Sequence, residues 1–173
     1  MQLGVGYQGL DIKSTGNVAQ LYNFTELYGR HFQEVRLSGG WNWNTYDQMP
    51  FPTRGVNQQL GGLAALPATP GSFSYYKTAY QARAYQPLFA GFIASVLGNV
   101  GYGNQFDNQG LPFFENYYAG GIAQPGQVRG YESYSLGPHD NHGNALGGGL
   151  VLNGGVNLIL PYPLSSDVVR TGF

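Results

Sequence analysis

The chain contains no cysteine, which excludes a disulfide framework and thiolate metal sites. Charge is also scarce: only 10% of residues are Asp, Glu, Lys or Arg, against about 25% in an ordinary soluble domain. The charges nearly balance, 8 basic against 9 acidic, so no long-range field steers a partner and no basic groove tracks a phosphate backbone. Nucleic acid is therefore not an expected partner. No apolar run approaches the roughly 18 residues of a membrane-crossing helix. There is no nucleophile elbow and no phosphate-cradling loop, and no Gly-x-Gly-x-x-Gly opens an apolar-periodic helix, as a dinucleotide site requires. The acidic residues stand singly, and nothing in their spacing favours a glycosidase pair. These residues point to no enzyme and no cofactor.

What the chain does have is 28 Gly, 14 Tyr and 10 Phe in 173 residues, the composition of many short strands with aromatic boundaries. The mean hydropathy of -0.23 is ordinary because apolar and polar residues alternate, as they do in a membrane barrel. Residues 34–46 show it best. Val35, Leu37, Gly39, Trp41 and Trp43 fall on one face, and Glu34, Arg36, Ser38, Gly40, Asn42 and Asn44 on the other. Residues 145–160 repeat the pattern, with Leu146, Leu150, Leu152, Val156, Leu158 and Leu160 opposite Gly147, Gly149, Asn153, Gly155 and Asn157. Residues 74–86 and 91–102 alternate less cleanly, and 3–10, 56–66 and 168–173 are weaker candidates, about seven strands in all. Connections at 49–55, 67–71, Pro87 and 161–163 are short, whereas 11–32 and 103–144 are long, a short–long alternation expected of barrel turns on opposite sides of a membrane. Trp41 and Trp43 read as membrane-interface aromatics.

The long segment 103–144 carries the sharpest signal. Its lead-in is Pro112, Phe113, Phe114, Glu115, Asn116, Tyr117, Tyr118, Ala119, Gly120 and Gly121, followed by Val128, Arg129, Gly130 and Tyr131. An arginine beside a glycine in an aromatic loop suits a loop folded into a polar cavity, where Gly130 allows close backbone approach and Tyr131 sits beside the guanidinium. These residues resemble the sixth extracellular loop of the BamA family of outer-membrane assembly factors, and the Phe51, Pro52, Thr53, Arg54, Gly55 run resembles that family's periplasmic turn.

The resemblance implies an all-β fold, an antiparallel transmembrane β-barrel segment of about seven strands from a sixteen-stranded barrel. Residues 1–173 would be part of that barrel domain, with a lumenal loop at about 103–144 and the periplasmic domains absent. The start, Met1 and Gln2 leading straight into a strand pattern, carries no export signal, so an outer-membrane protein would begin further upstream. The implied activity is folding and insertion of outer-membrane proteins in a Gram-negative bacterium. The implied partners are unfolded outer-membrane proteins, assembly-complex lipoproteins and outer-membrane lipid. The barrel's first and last strands would meet at a seam that opens to template an incoming strand. Neither of those strands is in this segment, which alone is not expected to insert substrates. Related readings are a TamA-like or two-partner-secretion pore; a soluble all-β ligand-binding module, separable by phase partition, and a passive porin come from other classes.

In the family, acidic residues on the wall of the next two strands hold the loop arginine. Asn157 stands here at the first such position and brings no charge, so the partner of Arg129 would be Asn157 or a carboxylate among Glu115, Glu132 and Asp140. His139, Asp140 and His142 read as an exposed Gly/Asn-rich turn rather than a metal site.

Overall fold

Seven segments are strands in the computed structural model, which describes residues 1–11, 31–69, 72–122, 127–161 and 171–172. They are β1 (Gln2–Asp11), β2 (His31–Asn44), β3 (Gly55–Pro67), β4 (Tyr75–Pro87), β5 (Ile93–Gln105), β6 (Leu150–Leu160) and β7 (Thr171–Gly172). All pair antiparallel with their sequence neighbours in one sheet of order β1 to β7. β3, β4 and β5 each have 13 residues, more than the about 9–11 that a tilted strand needs to cross a bilayer.

Three expectations change. The strand read at 145–160 starts only at Leu150, because Ala145 bridges His139 and Gly148 bridges Tyr117, so this stretch belongs to the loop. The strand read at 168–173 contributes Thr171 and Gly172, paired with Leu160 and Ile159; its other residues lie outside the described ones. The short–long alternation fails at 68–74, since the antiparallel register places this connection at the same end of the sheet as the long segment after β5. The connection read at 11–32 and the turn at 161–163 lie largely outside the described residues.

The register decides which face is which. Cross-strand pairing aligns Val5 with Leu37, Trp41 with Leu60, Leu60 with Tyr80, Tyr80 with Val100 and Val100 with Leu152. This face is the open one: Leu3 is 81% exposed, Leu152 78% and Val156 74%, and Trp41 and Trp43 are exposed with them. The opposite face holds Glu34, Tyr75, Ser95 and Asn99, all buried. The sheet is thus inside-out for a soluble protein, with its charges covered and its aliphatic side chains bare. A continuous apolar surface of this extent marks contact with another apolar phase, and lipid is the phase that suits it.

One consequence is measurable. In the full-length protein, Leu152→Arg is expected to destabilise folding into vesicles by about 2–4 kcal/mol, the range for a cation on the lipid face near the midplane. Gln59→Arg, at an exposed position on the polar face, should cost under about 1 kcal/mol, because that face looks onto a polar interior. Urea titrations of folding into lipid vesicles compare the two. Equal costs would reverse the assignment of faces.

Candidate functional site

The covered face is occupied by the chain's own segment between β5 and β6. After Gln105 the backbone turns, with Asn108 and Gly110 at positive φ of 63° and 88°. Pro112 then leads a single 3-10 turn at Phe113–Glu115. Phe114 meets Phe73 edge-on at 6.2 Å between ring centres and packs with Leu63 and Leu111 against Ala65, Phe73 and Tyr75. This small apolar cluster delivers Glu115 to the wall.

There Glu115 is gripped from two strands. Arg36 on β2 donates to its Oε1 at 2.6 Å, and Lys77 on β4 donates to its Oε2 at 3.1 Å. Arg36 also donates to the Tyr75 hydroxyl at 2.7 Å and pairs with Glu34, whose Oε1 accepts from Tyr75 at 3.1 Å. Two carboxylates alternate with two cations, so the covered cluster is neutral and each charge has a partner of opposite sign. Burial alone would push the Glu115 carboxyl up, but the ammonium of Lys77 and the guanidinium of Arg36 outweigh it and hold it below its ordinary value. Burial, with the Glu115 charge added, pushes the neighbouring Tyr117 phenol up.

Two residues on, Tyr117 lies under Lys77, whose ammonium is 4.6 Å from the ring centre. Its hydroxyl donates to the Thr78 carbonyl at 2.9 Å, and its backbone pairs in both directions with Gly148. The wall is cut back to admit it: a Cβ on Gly101 would stand 2.9 Å from the Tyr117 ring, and one on Gly103 2.9 Å from Leu111. Gly120 and Gly121, at φ of 110° and 70°, then fold the segment on itself through bridges between Ala119 and Leu136 and between Gly121 and Val128.

The return limb runs along β6. Asn153 donates its side-chain amide to the Gln127 carbonyl, and Asn157 accepts from Arg129 Nη1 at 3.2 Å. Asn153 is itself the end of a row of carboxamides that the register aligns across five strands: Asn42, Gln59, Gln81, Asn99 and Asn153. Within it Gln81 donates to Asn99 at 2.7 Å, and Asn99 is only 2% exposed. The loop tip therefore rests on neutral amides, its base on charges.

The other residues singled out in the sequence lie as follows. Glu115 is held by Arg36 and Lys77. Glu132 contributes its backbone carbonyl to Ser135. Asp140 closes its own turn, accepting from the backbone of His142 and of Asn144 and from the Asn144 side chain, each at 2.8 Å, and these bonds hold its carboxyl below the ordinary value. His139 faces the Gly137 carbonyl at 2.9 Å, and the described residues hold no cluster suited to a metal. Val128 donates its backbone N–H to the Gly121 carbonyl at 3.0 Å. Gly130 has a φ of 83°, while Tyr131 is 54% exposed and engages the loop through its carbonyl, which accepts from the Gly121 N–H at 3.1 Å. Tyr118 pairs edge-on with Tyr134 at 5.0 Å.

The sequence reading did not single out Glu34, Arg36, Tyr75 or Lys77 as a site. A signal was present, since alternation places Glu34, Arg36 and Lys77 on the wet face. Their convergence on Glu115 spans as many as 79 residues and leaves no local trace.

At the sheet's other end, the turn after β2 is organised by Asp47. Its carboxylate takes the Thr53 hydroxyl and the backbone N–H groups of Thr53 at 2.9 Å and Arg54 at 3.1 Å. The Thr53 hydroxyl chiefly lowers its pKa, from about 3.8 to about 2. A carboxyl with a depressed folded pKa stabilises the turn above its unfolded value and loses that contribution as pH falls through the folded one. Hydrogen-exchange protection at the Thr53 and Arg54 amides is thus expected to hold at pH 5 and to decline between about pH 4 and 2. In Asp47→Ala it should be weak throughout; protection there matching the parent protein would remove Asp47 from this role.

Comparison with known proteins agrees with this geometry. The family model described as the Omp85 superfamily domain matches residues 1–173. Over 134 residues the chain is 37% identical to the outer membrane protein assembly factor BamA of Neisseria meningitidis serogroup B, an alignment covering 74% of this chain and 16% of that protein. The crystal structure of BamA from Haemophilus ducreyi lacking POTRA domains 1-3 superposes with a TM-score of 0.77 at 26% identity, covering 98% of this chain and 36% of that one. The chain thus spans a minor part of the proteins it matches.

Proposed function

Because the chain belongs to the Omp85 superfamily, we propose that it is part of the membrane barrel of an outer-membrane protein assembly factor, located in the bacterial outer membrane. The observation that carries this is the inverted sheet with its loop: apolar side chains on the open face, and a segment held to the polar face by Glu115 and Arg129. The sheet order is linear, with β1 and β7 at its edges. Unpaired strand edges are not tolerated in hydrocarbon, so residues 1–173 are one portion of a larger barrel that further strands close. The described residues of segment 106–149 occupy its lumen, and the family's periplasmic domains lie outside this portion.

In that setting the protein acts without hydrolysis or cofactor. An unpaired edge at the barrel's seam offers backbone donors and acceptors to an incoming strand, and the substrate's own burial and hydrogen bonding in the membrane drive insertion. Its substrates are unfolded outer-membrane proteins, and accessory lipoproteins dock on the periplasmic domains. The strands described here supply the wall and the docked loop, not the seam.

The test is folding of a urea-denatured outer-membrane barrel into liposomes that carry the full-length protein. Folding should accelerate about tenfold or more without nucleotide, and liposomes carrying only residues 1–173 should give none of that gain. No acceleration by the full-length protein overturns the reading; acceleration by the segment alone overturns the part assigned to the seam.

A further inference from the structure

The row of carboxamides beneath the loop tip holds two atoms that have no hydrogen-bond partner among the described residues, Asn99 Nδ2 on β5 and Asn153 Oδ1 on β6. Asn99 and Asn153 are direct opposites in the register of these two strands. Asn99 is only 2% exposed, and both unpartnered atoms are closed off from solvent. A strand added beyond either edge of the sheet therefore cannot reach them. One atom is a donor and the other an acceptor, and each is costly to leave unused in a covered site.

The bonds on the far side of each amide fix which way it faces. Gln81 donates to Asn99 Oδ1 at 2.7 Å, and Asn153 donates through Nδ2 to the Gln127 carbonyl. Turning Asn99 over would set its nitrogen against the Gln81 nitrogen, and turning Asn153 over would set its oxygen against the Gln127 oxygen. What remains between the two side chains is the Asn99 donor and the Asn153 acceptor, on Cβ atoms that stand about 4.5–5.5 Å apart in a directly opposed antiparallel pair. Each amide then gives its hydrogen toward the loop: Gln81 to Asn99, Asn99 to Asn153, and Asn153 to the backbone at Gln127. Amides aligned head to tail polarise one another, so the bond to the loop is strengthened by those behind it.

The backbone held in this way leads directly into the loop's arginine. Val128 closes the tip by donating to the Gly121 carbonyl at 3.0 Å, and Arg129 reaches Asn157 at 3.2 Å. We propose that Asn99 is a positioning residue for the loop tip and acts through Asn153, whose unused acceptor takes the Asn99 hydrogen. A small turn of either amide or one shared water completes the link, and its direction is the same in both cases. The seat of the tip is thus set from β4, two strands away from β6, by neutral groups alone. This role concerns the loop's seat and stands or falls separately from the assembly activity.

The experiment is hydrogen exchange of the detergent-solubilised full-length protein at pH 8, read at the Val128 amide, with the Tyr117 amide as reference. Asn99→Leu removes both halves of the amide, whereas Asn99→Asp keeps the acceptor for Gln81 and loses only the donor. Each is expected to speed exchange at Val128 about fivefold, the loss of one net hydrogen bond. Tyr117, bonded to Gly148 beside the charged cluster, should exchange as in the parent. Asn153→Leu should act at least as strongly at Val128, and adding Asn99→Leu to it should change nothing further, because the link is already cut. Melting temperatures check folding, and either Asn99 variant carries the test if the other does not fold. The proposal is overturned if Val128 in Asn99→Asp exchanges as in the parent, which would leave Asn99 serving Gln81 alone, or if the effects of Asn99→Leu and Asn153→Leu add.

Discussion

Replacing Glu115 by lysine is expected to release the loop from the wall and, in the full-length protein, to remove most of the assembly activity proposed for it. The parent arrangement sets one carboxylate between Arg36 and Lys77, at 2.6 and 3.1 Å. The lysine variant sets three cations together in a covered site, with only Glu34 to offset them. Removing one partner of a buried charge pair costs about 3–5 kcal/mol, because the remaining charges stay desolvated and unpaired; reversal should cost at least that. Glu115→Gln keeps the shape and an acceptor but not the charge, and should fall between the two. Thermal unfolding in detergent reads the loss, and hydrogen exchange over residues 111–122 localises it. The decisive comparison is the exchange variant Lys77→Glu with Glu115→Lys, which restores opposite signs across the same contact and should recover a large part of the deficit. A Glu115→Lys protein as stable as the parent would mean that the ion pairs do not hold the loop.

The second large effect is expected at a glycine outside the Val-Arg-Gly-Tyr run. Gly120 has φ of 110°, and a Cβ there would run into the Glu132 carbonyl oxygen and approach the Ser135 nitrogen at 3.1 Å. Neither backbone atom can move without opening the bridge between Ala119 and Leu136. Gly120→Ala should therefore unfold the return of the loop, by more than the about 1–2 kcal/mol that a left-handed conformation alone costs an L residue. Gly130, inside the run, also has positive φ, 83°, but a Cβ added there meets nothing within 4 Å. Gly130→Ala should cost only the conformational part. The prediction is an order, Gly120 far more sensitive than Gly130, measured by hydrogen exchange across 117–136 and by melting temperature. The reverse order would show that Gly130 is wanted for a contact the described residues do not contain.

These two substitutions also separate what could be read from residues alone from what could not. Alternation over 34–46 assigned both faces of β2 correctly, because side-chain direction in a strand has a period of two and needs no knowledge of the partner strand. It erred at 145–149, where Leu146 and Gly147 continue the alternation yet lie between Ala145 and Gly148, which bridge to His139 and Tyr117 in the loop. Pattern cannot weigh one pairing partner against another. It also left the choice among Asn157, Glu115, Glu132 and Asp140 open for Arg129. Register and loop path place Glu115 with Arg36 and Lys77, and Asp140 within its own turn.

From its order of residues alone, this protein was determined to be a set of tilted, two-faced strands with an oily side, a polar side and one long aromatic loop. Those properties are local, set by spacing and composition. Only the folded arrangement decided that the polar side is covered and that Glu115 is shared by two strands. Such pairings depend on which strands become neighbours and in what register, and electrostatic partners are chosen by distance in space rather than along the chain.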